Sequence, residues 1–355
     1  MLNGLASAIL AFYLSLGFVS GAGAAELVSD FDQSSLDEKV WNACQIDEPP
    51  LRFEQLTDPE GTVRQFIRVI VDPTTGNSND TCQEPVTPLS AGQEADVVAE
   101  PFGPSLVPAS PPEEPGAAEC KKGGGEAQRN ELRLQQRPGL VHSQEEAHWY
   151  SMTFRVDGNV PSCGSARWVL AQWKQERHGM SPFLAQRFDN GVLHVTVQNG
   201  HCRCAVAKAE GDFDTFSAVA AQMLPAQTLQ ESRPIRCIRS DVDDDTSCQP
   251  TAMRVFTIGG SAPPPLPDPK RGWVTMTYLV RGGSDGNGLV DVYANSRFVV
   301  RVNGLIGYKT NDPGLVKFKF GHYRDRIDGA ASISVDRLCF SPDSHVCAPD
   351  IQSMP

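Results

Sequence analysis

Val316-Lys-Phe-Lys-Phe-Gly-His-Tyr-Arg-Asp325 alternates between apolar and polar residues. Successive side chains of a strand point to opposite faces, so Val316, Phe318, Phe320 and His322 share one face. Lys317, Lys319, Gly321 and Tyr323 share the other. The first face reads as core. The second sets two ammonium groups beside a phenol, with a glycine that leaves room against the backbone. Lysine also protects sheet edges from unwanted pairing, so this strand by itself fits either a solvated edge or a site for a polyanion.

The rest of the chain repeats the pattern. Strand candidates are Leu51 to Gln55, Val63 to Val71, Arg129 to Arg137, Trp149 to Val156, Trp168 to Lys174, Gly191 to Gln198, Trp273 to Val280, Gly288 to Tyr293, Arg297 to Val302 and Ser332 to Phe340. Asn295-Ser296 reads as a hairpin turn. Asn199 to Asp268 reads as a Cys- and Asp-rich connection, and helical periodicity is convincing only around Thr215 to Met223. Many short, turn-bounded, alternating strands predict an all-β sandwich or barrel. No repeat of solenoid period occurs.

Composition bounds the rest. Residues 1–25 read as a secretory signal: an apolar run from Leu5 to Val19, then Gly21-Ala-Gly-Ala-Ala25, without a basic residue near Met1. No later stretch is apolar enough to span a bilayer as a helix. Ten cysteines fit an exported, disulfide-bonded chain. The close spacings nominate Cys237 with Cys248 and Cys339 with Cys347, and the lack of a C-x-x-C pair argues against zinc held by thiolates. The net charge of −12 argues against nucleic acid as a partner. Between Pro73 and Glu126 stand nine acids, two lysines and nine prolines, closed by Gly123-Gly-Gly125. Such a segment buries too little apolar surface to offset its ordering, and it reads as a flexible insertion (73–126) between N-terminal strands (26–72) and the main body (127–355). A monomer is expected.

Two other strands carry unusually functional polar faces. Alternation puts Arg129, Glu131 and Arg133 together in Arg129-Asn-Glu-Leu-Arg133, and Gln172 with Lys174 opposite Trp173. With Lys317, Lys319 and Tyr323 they suggest a basic groove across one sheet of an otherwise acidic protein.

These residues carry a family resemblance. Arg-x-Glu-Leu-Arg, then Gln-x-His, then Tyr-Phe-Lys-x-Gly-x-Tyr, in that order, is the three-strand signature of jelly-roll polysaccharide lyases: the alginate-lyase, glucuronan-lyase and heparin-lyase-like enzymes. The chain resembles them at Arg129 to Arg133, at Lys317 to Tyr323 (with Lys317 at the first aromatic position), at Ser181-Pro-Phe-Leu184 and at Gly272-Trp273. The second motif departs: Lys174 stands where these enzymes usually have His. The resemblance spans roughly Arg129 to Phe340 and implies a concanavalin-like jelly-roll sandwich, an acidic polysaccharide as partner and no cofactor.

The chemistry it implies explains the residue types. Cleaving a 4-linked uronate by β-elimination removes the proton on C5 and expels O4. That proton is too weakly acidic unless preorganised donors neutralise the adjoining carboxylate. Gln172 and Arg129 are expected in that role. Tyr323 is expected to protonate O4, and as phenolate could also take the C5 proton. Lys174 replaces the usual base. Arg133, Lys317 and Lys319 are expected to bind sugar carboxylates, and Glu131 to orient the arginines. His194 shares a polar face with Thr196 and Gln198, which makes it the best substitute base or substrate contact among the histidines. His322 points with the phenylalanines, while His142, His148, His178 and His201 fall in loops or strand ends. Asp243-Asp-Asp245 has the oxygen chemistry for calcium but equally that of a solvated loop. The alternative to a lyase is a binding module of the same fold; an adhesion sandwich would need no clustered bases. Deleting residues 73–126 should leave the melting temperature within a few degrees, read by circular dichroism; a collapse of folding would mean that the segment packs.

Overall fold

The computed structural model describes residues 27–29, 31, 36–37, 40–44, 51–57, 63–72, 75, 127–136, 139–158, 160, 168–175, 181–209, 228–240, 246–309, 314–326 and 329–351. The Pro73 to Glu126 insertion (Thr75 apart), the helical stretch from Thr215 to Met223 and Asp243-Asp-Asp245 lie outside these residues, as does the signal-like start.

Eighteen strands are described, with one helical turn near the C-terminus. They form two antiparallel sheets packed face to face, a jelly-roll sandwich. The sheet that carries the groove runs β12 (Arg236–Arg239), β10 (Cys202–Lys208), β9 (Val192–Asn199), β8 (Leu184–Asp189), β7 (Trp168–Gln175), β17 (Val316–Asp325), β5 (Ala127–Leu134), β2 (Trp41–Cys44). The second sheet runs β11 (Leu229–Ser232), β13 (Met253–Ile258), β16 (Arg297–Ile306), β15 (Gly283–Ala294), β14 (Val274–Arg281), β6 (His148–Gly158), β18 (Ala331–Ser341), β4 (Val63–Val71), β3 (Leu51–Thr57), with β1 (Leu27–Ser29) also on β18. Asn295 and Ser296 both have positive φ, 47° and 64°, as the two-residue hairpin joining β15 to β16 requires.

Within the stretch read as a connection from Asn199 to Asp268, the described residues instead include four strands, β10 to β13. Their cores are built from small residues and cystines, Cys202-Arg-Cys-Ala-Val-Ala-Lys208 among them, so the hydrophobic alternation is faint. The disulfide expectation is corrected there too. Cys204 bonds Cys237, and Cys202 bonds Cys248. Cys204 and Cys237 face each other in the β10–β12 ladder, and this cross-strand pairing outweighs closeness in sequence. Cys339 bonds Cys347 as expected.

β17 lies between β5 and β7 at the heart of its sheet. Its inward face packs on the other sheet: Phe318 meets Trp173 at 4.9 Å between ring centroids, and Trp173 meets Tyr278 at 4.9 Å. Each such ring, fully buried, contributes on the order of 1.5–3 kcal/mol. His322 continues that face, fully buried. Trp168 Nε1 donates to its Nδ1 at 3.1 Å, and its Nε2 donates to the Val69 carbonyl at 3.0 Å, which ties the two sheets together. Burial, helped by the Arg324 guanidinium, pushes the His322 pKa down to about 3, against the opposing pull of the Val69 carbonyl.

That depression sets an acid limit. The folded pKa lies below the unfolded one, so the unfolded chain takes the proton first, and stability falls as the pH drops from about 6.5 towards 3. At about pH 5, His322 alone should cost about 2 kcal/mol relative to neutral pH. Urea midpoints at the two pH values test this; His322→Gln, whatever its stability at neutral pH, should show a shallower fall, and an equal slope would remove His322 as the cause.

Candidate active site

The outward face of the groove sheet gathers the polar residues of its three central strands. Register decides who meets whom. Lys319 stands between Arg133 on β5 and Gln172 on β7. Tyr323 stands between Arg129 and Val169, and Lys317 stands opposite Lys174. The rows continue across the sheet: Val169 faces Arg187 on β8, Arg187 faces His194 on β9, and His194 faces Lys208 on β10.

Glu131 is the hub. Its carboxylate accepts a hydrogen bond from Gln172 Nε2 and lies 3.6 Å from Arg129 Nε and 3.9 Å from Lys319 Nζ. All four side chains are buried to within a tenth of full exclusion. Gln172 and Glu131 belong to strands separated by β17, and they reach each other over Gly321, the residue opposite Glu131. Gly321 has φ of 129°, and a Cβ there would lie 2.3 Å from the Asn130 carbonyl oxygen. The room that the glycine leaves is thus taken by the neighbouring strand, which brings β5 close enough for its carboxylate to cross.

Tyr323 is half-buried at the edge of this cluster. The Arg129 guanidinium carbon sits 4.1 Å above its ring, a cation–π stack that fixes the ring plane. Arg129, Glu131, Gln172, Lys319 and Tyr323, all read from the sequence, therefore form one contiguous group with Arg133 beside it.

Two expected members lie farther from Tyr323, although Lys174 is only two residues from Gln172 on the same face of β7. Lys174 stands level with Lys317, and the five residues from Val169 to Lys174 place it roughly 16 Å along the strand from the Tyr323 row. His194 lies three strands from β17, roughly 14 Å at the usual strand spacing. Its Nδ1 donates to the Val192 carbonyl at 2.9 Å. Burial lowers its pKa, with Lys208 and Arg187 adding to the effect and the Val192 carbonyl opposing it.

Arg187 and Lys208 extend the basic row and were not singled out from the sequence. Arg187 sits in Leu184-Ala-Gln-Arg-Phe-Asp189, where alternation pairs it with Ala185, but one cation per strand is a weak signal. His142 and His148, read as patternless, prove to be stacked. Asp291 and Arg301 form a bidentate pair at 2.6 and 2.7 Å, far from the groove on the other sheet.

A family model described as polysaccharide lyase matches residues 103–339. The chain belongs to that family. Among solved structures, this family member is similar to the family 7 alginate lyase A1-II′ in complex with substrate, with 13% identity over 87% of this chain and 94% of that one and a TM-score of 0.42. It is similar to the endo-β-1,4-glucuronan lyase of the fungus Trichoderma reesei, at 11% identity, 88% and 98% coverage and a TM-score of 0.43. The alginate lyase of Corynebacterium sp. follows at 11%, 86%, 95% and 0.36. These likenesses are loose, and the assignment rests on the family model. No curated protein matches the chain. No helix among the described residues of this lyase-family chain is long and apolar enough to cross a membrane.

The hub predicts its own mutant. Removing one member of a buried charge cluster leaves the others uncompensated, at about 3–5 kcal/mol. Glu131→Ala should lose stability in that range by urea denaturation, and Glu131→Gln, which keeps the shape, should lose less. Equal stability of Glu131→Ala and the wild type would mean that the carboxylate does not hold the cluster.

Proposed function

We propose that this protein cleaves a 4-linked uronic-acid polymer (glucuronan, alginate or a glycosaminoglycan) by β-elimination. The reading rests on family membership together with one observation: a tyrosine stacked under an arginine beside a buried Gln–Glu–Lys cluster on the central strands of one sheet. Gln172 and Arg129 neutralise the substrate carboxylate, which acidifies C5–H and stabilises the charge that develops on the carboxylate as the proton leaves. Tyr323, as phenolate, takes the C5 proton; the electron pair forms C4=C5 and the C4–O4 bond breaks. The same hydroxyl, now protonated, delivers its proton to O4. One residue in both roles suits a site where Lys174 stands some distance from the reacting centre. Glu131 holds Arg129, Gln172 and Lys319 in place rather than reacting.

Arg133, Lys319, Lys317 and Lys174 bind the carboxylates of flanking sugars, and the Arg187–His194 row receives units further along the chain. The signal-like start and three disulfides among the described residues support export to a secreted or periplasmic setting. A non-catalytic binding module is the second reading, favoured by Lys174 where the family usually keeps a His.

Tyr323→Phe removes one oxygen and little volume. Binding should survive while turnover, followed by the ultraviolet absorbance of the unsaturated uronate product, falls roughly 10²–10⁴-fold. Unchanged turnover would end this mechanism, and wild-type binding with no product on any polyuronate would leave the module. Lys174→Ala should raise KM with kcat nearly kept, the mark of lost uniform binding. A collapse of kcat instead would make Lys174 the base, and Lys174→His should then restore it.

A further inference from the structure

The basic row of the groove leads to a cavity. It runs from Arg187 on β8 through His194 on β9 to Lys208 on β10, and Lys208 also lines a hollow of about 790 Å³ at the flank of the sandwich. That volume lies in the range of sites that enclose a small ligand. The other walls come from the chain between β11 and β12, around Arg233 and Ile235, and from the turn after β13, from Gly260 to Pro265.

The strand ends explain why the hollow is there. β12 covers the edge of β10 only from Cys202 to Ala205. The Ile235 N–H donates to the Ala205 carbonyl at 2.8 Å, and past a bulge the Leu266 N–H donates to the Lys208 carbonyl at 2.8 Å. Two separate segments therefore hold the edge of β10, three residues apart. Proline stiffens both: Pro234 precedes the first contact, and Pro263 and Pro265 lead into the second, each with a fixed φ. Walls set in advance spare a ligand the cost of ordering them.

The charges select the ligand. Lys208 and Arg233 bring cations to the hollow, and Arg233 is exposed to an incoming group. Glu231 is the one acid among the described lining residues, and Arg254, on the neighbouring strand, holds its carboxylate at 2.6 Å. Apolar walls with two cations suit a sugar ring that carries a carboxylate.

We propose that this cavity is an anchoring subsite for a uronate unit of the polymer, away from the bond that is cut. The proposal rests on the polyuronate reading of the groove and gives that groove a far end. Lys208 lies four strands from Tyr323, roughly 19 Å at the usual strand spacing. A grip at that distance adds a second point of attachment to the same chain, which tightens binding of long substrates and not of short ones.

The test compares the full-length wild type with Arg233→Glu, which reverses a charge at the cavity, and Ala262→Trp, which fills it from an exposed position. Dissociation constants are measured by calorimetry for glucuronan, alginate and heparin, and for a trisaccharide of each. The wild type should prefer polymer to trisaccharide. Both variants, with melting temperatures near that of the wild type, should lose at least about tenfold on polymer and little on trisaccharide. Either folded variant binding polymer as tightly as the wild type overturns the subsite and leaves the groove standing. An equal loss on trisaccharide overturns the placement far from the reacting centre. Wild type that binds none of the three polymers overturns the subsite and the polyuronate reading together.

Discussion

The groove depends on one buried carboxylate. Glu131 lies among Arg129, Lys319 and Gln172, where each cation alone would be expensive to bury and the carboxylate alone more so. Together they are tolerable, and together they hold four side chains from three strands in a single geometry. A rigid arrangement of this kind suits catalysis that works by neutralising substrate charge, because preorganised donors need no rearrangement as charge develops.

That contact in turn requires Gly321. Glu131 and Gln172 meet across the width of β17, and a side chain at the intervening position would both collide with the Asn130 carbonyl and stand in the way. The glycine is a packing device that makes the polar hub feasible. The inward face of the same strand then anchors the hub to the rest of the molecule, through Phe318 against Trp173 and His322 bonded to Val69 on the opposite sheet.

Much of this was legible in residue order. The strict alternation of β17 was enough to assign its faces and to separate His322 from the groove, since period two leaves no ambiguity when apolar residues are large. The same reasoning placed Arg129, Glu131 and Arg133 together. It failed on β10 to β13, where small residues and cystines replace large hydrophobics, and on Cys237, whose partner is its neighbour across the ladder rather than along the chain. Arg187 and Lys208 escaped for a related reason: each is a single cation whose meaning comes from the strand beside it.

Sequence alone determined the class of fold and which face of each central strand is polar, because both follow from local periodicity. Only the tertiary structure decided which polar residues are neighbours. Strand register is a property of two segments at once, and a shift of one residue would swap every face. It put Tyr323 beside Arg129 and carried Lys174 and His194 away from that pair, though all four look equally eligible in the chain. It also stacked His142 on His148, six residues apart across a turn, where no periodic pattern could announce them.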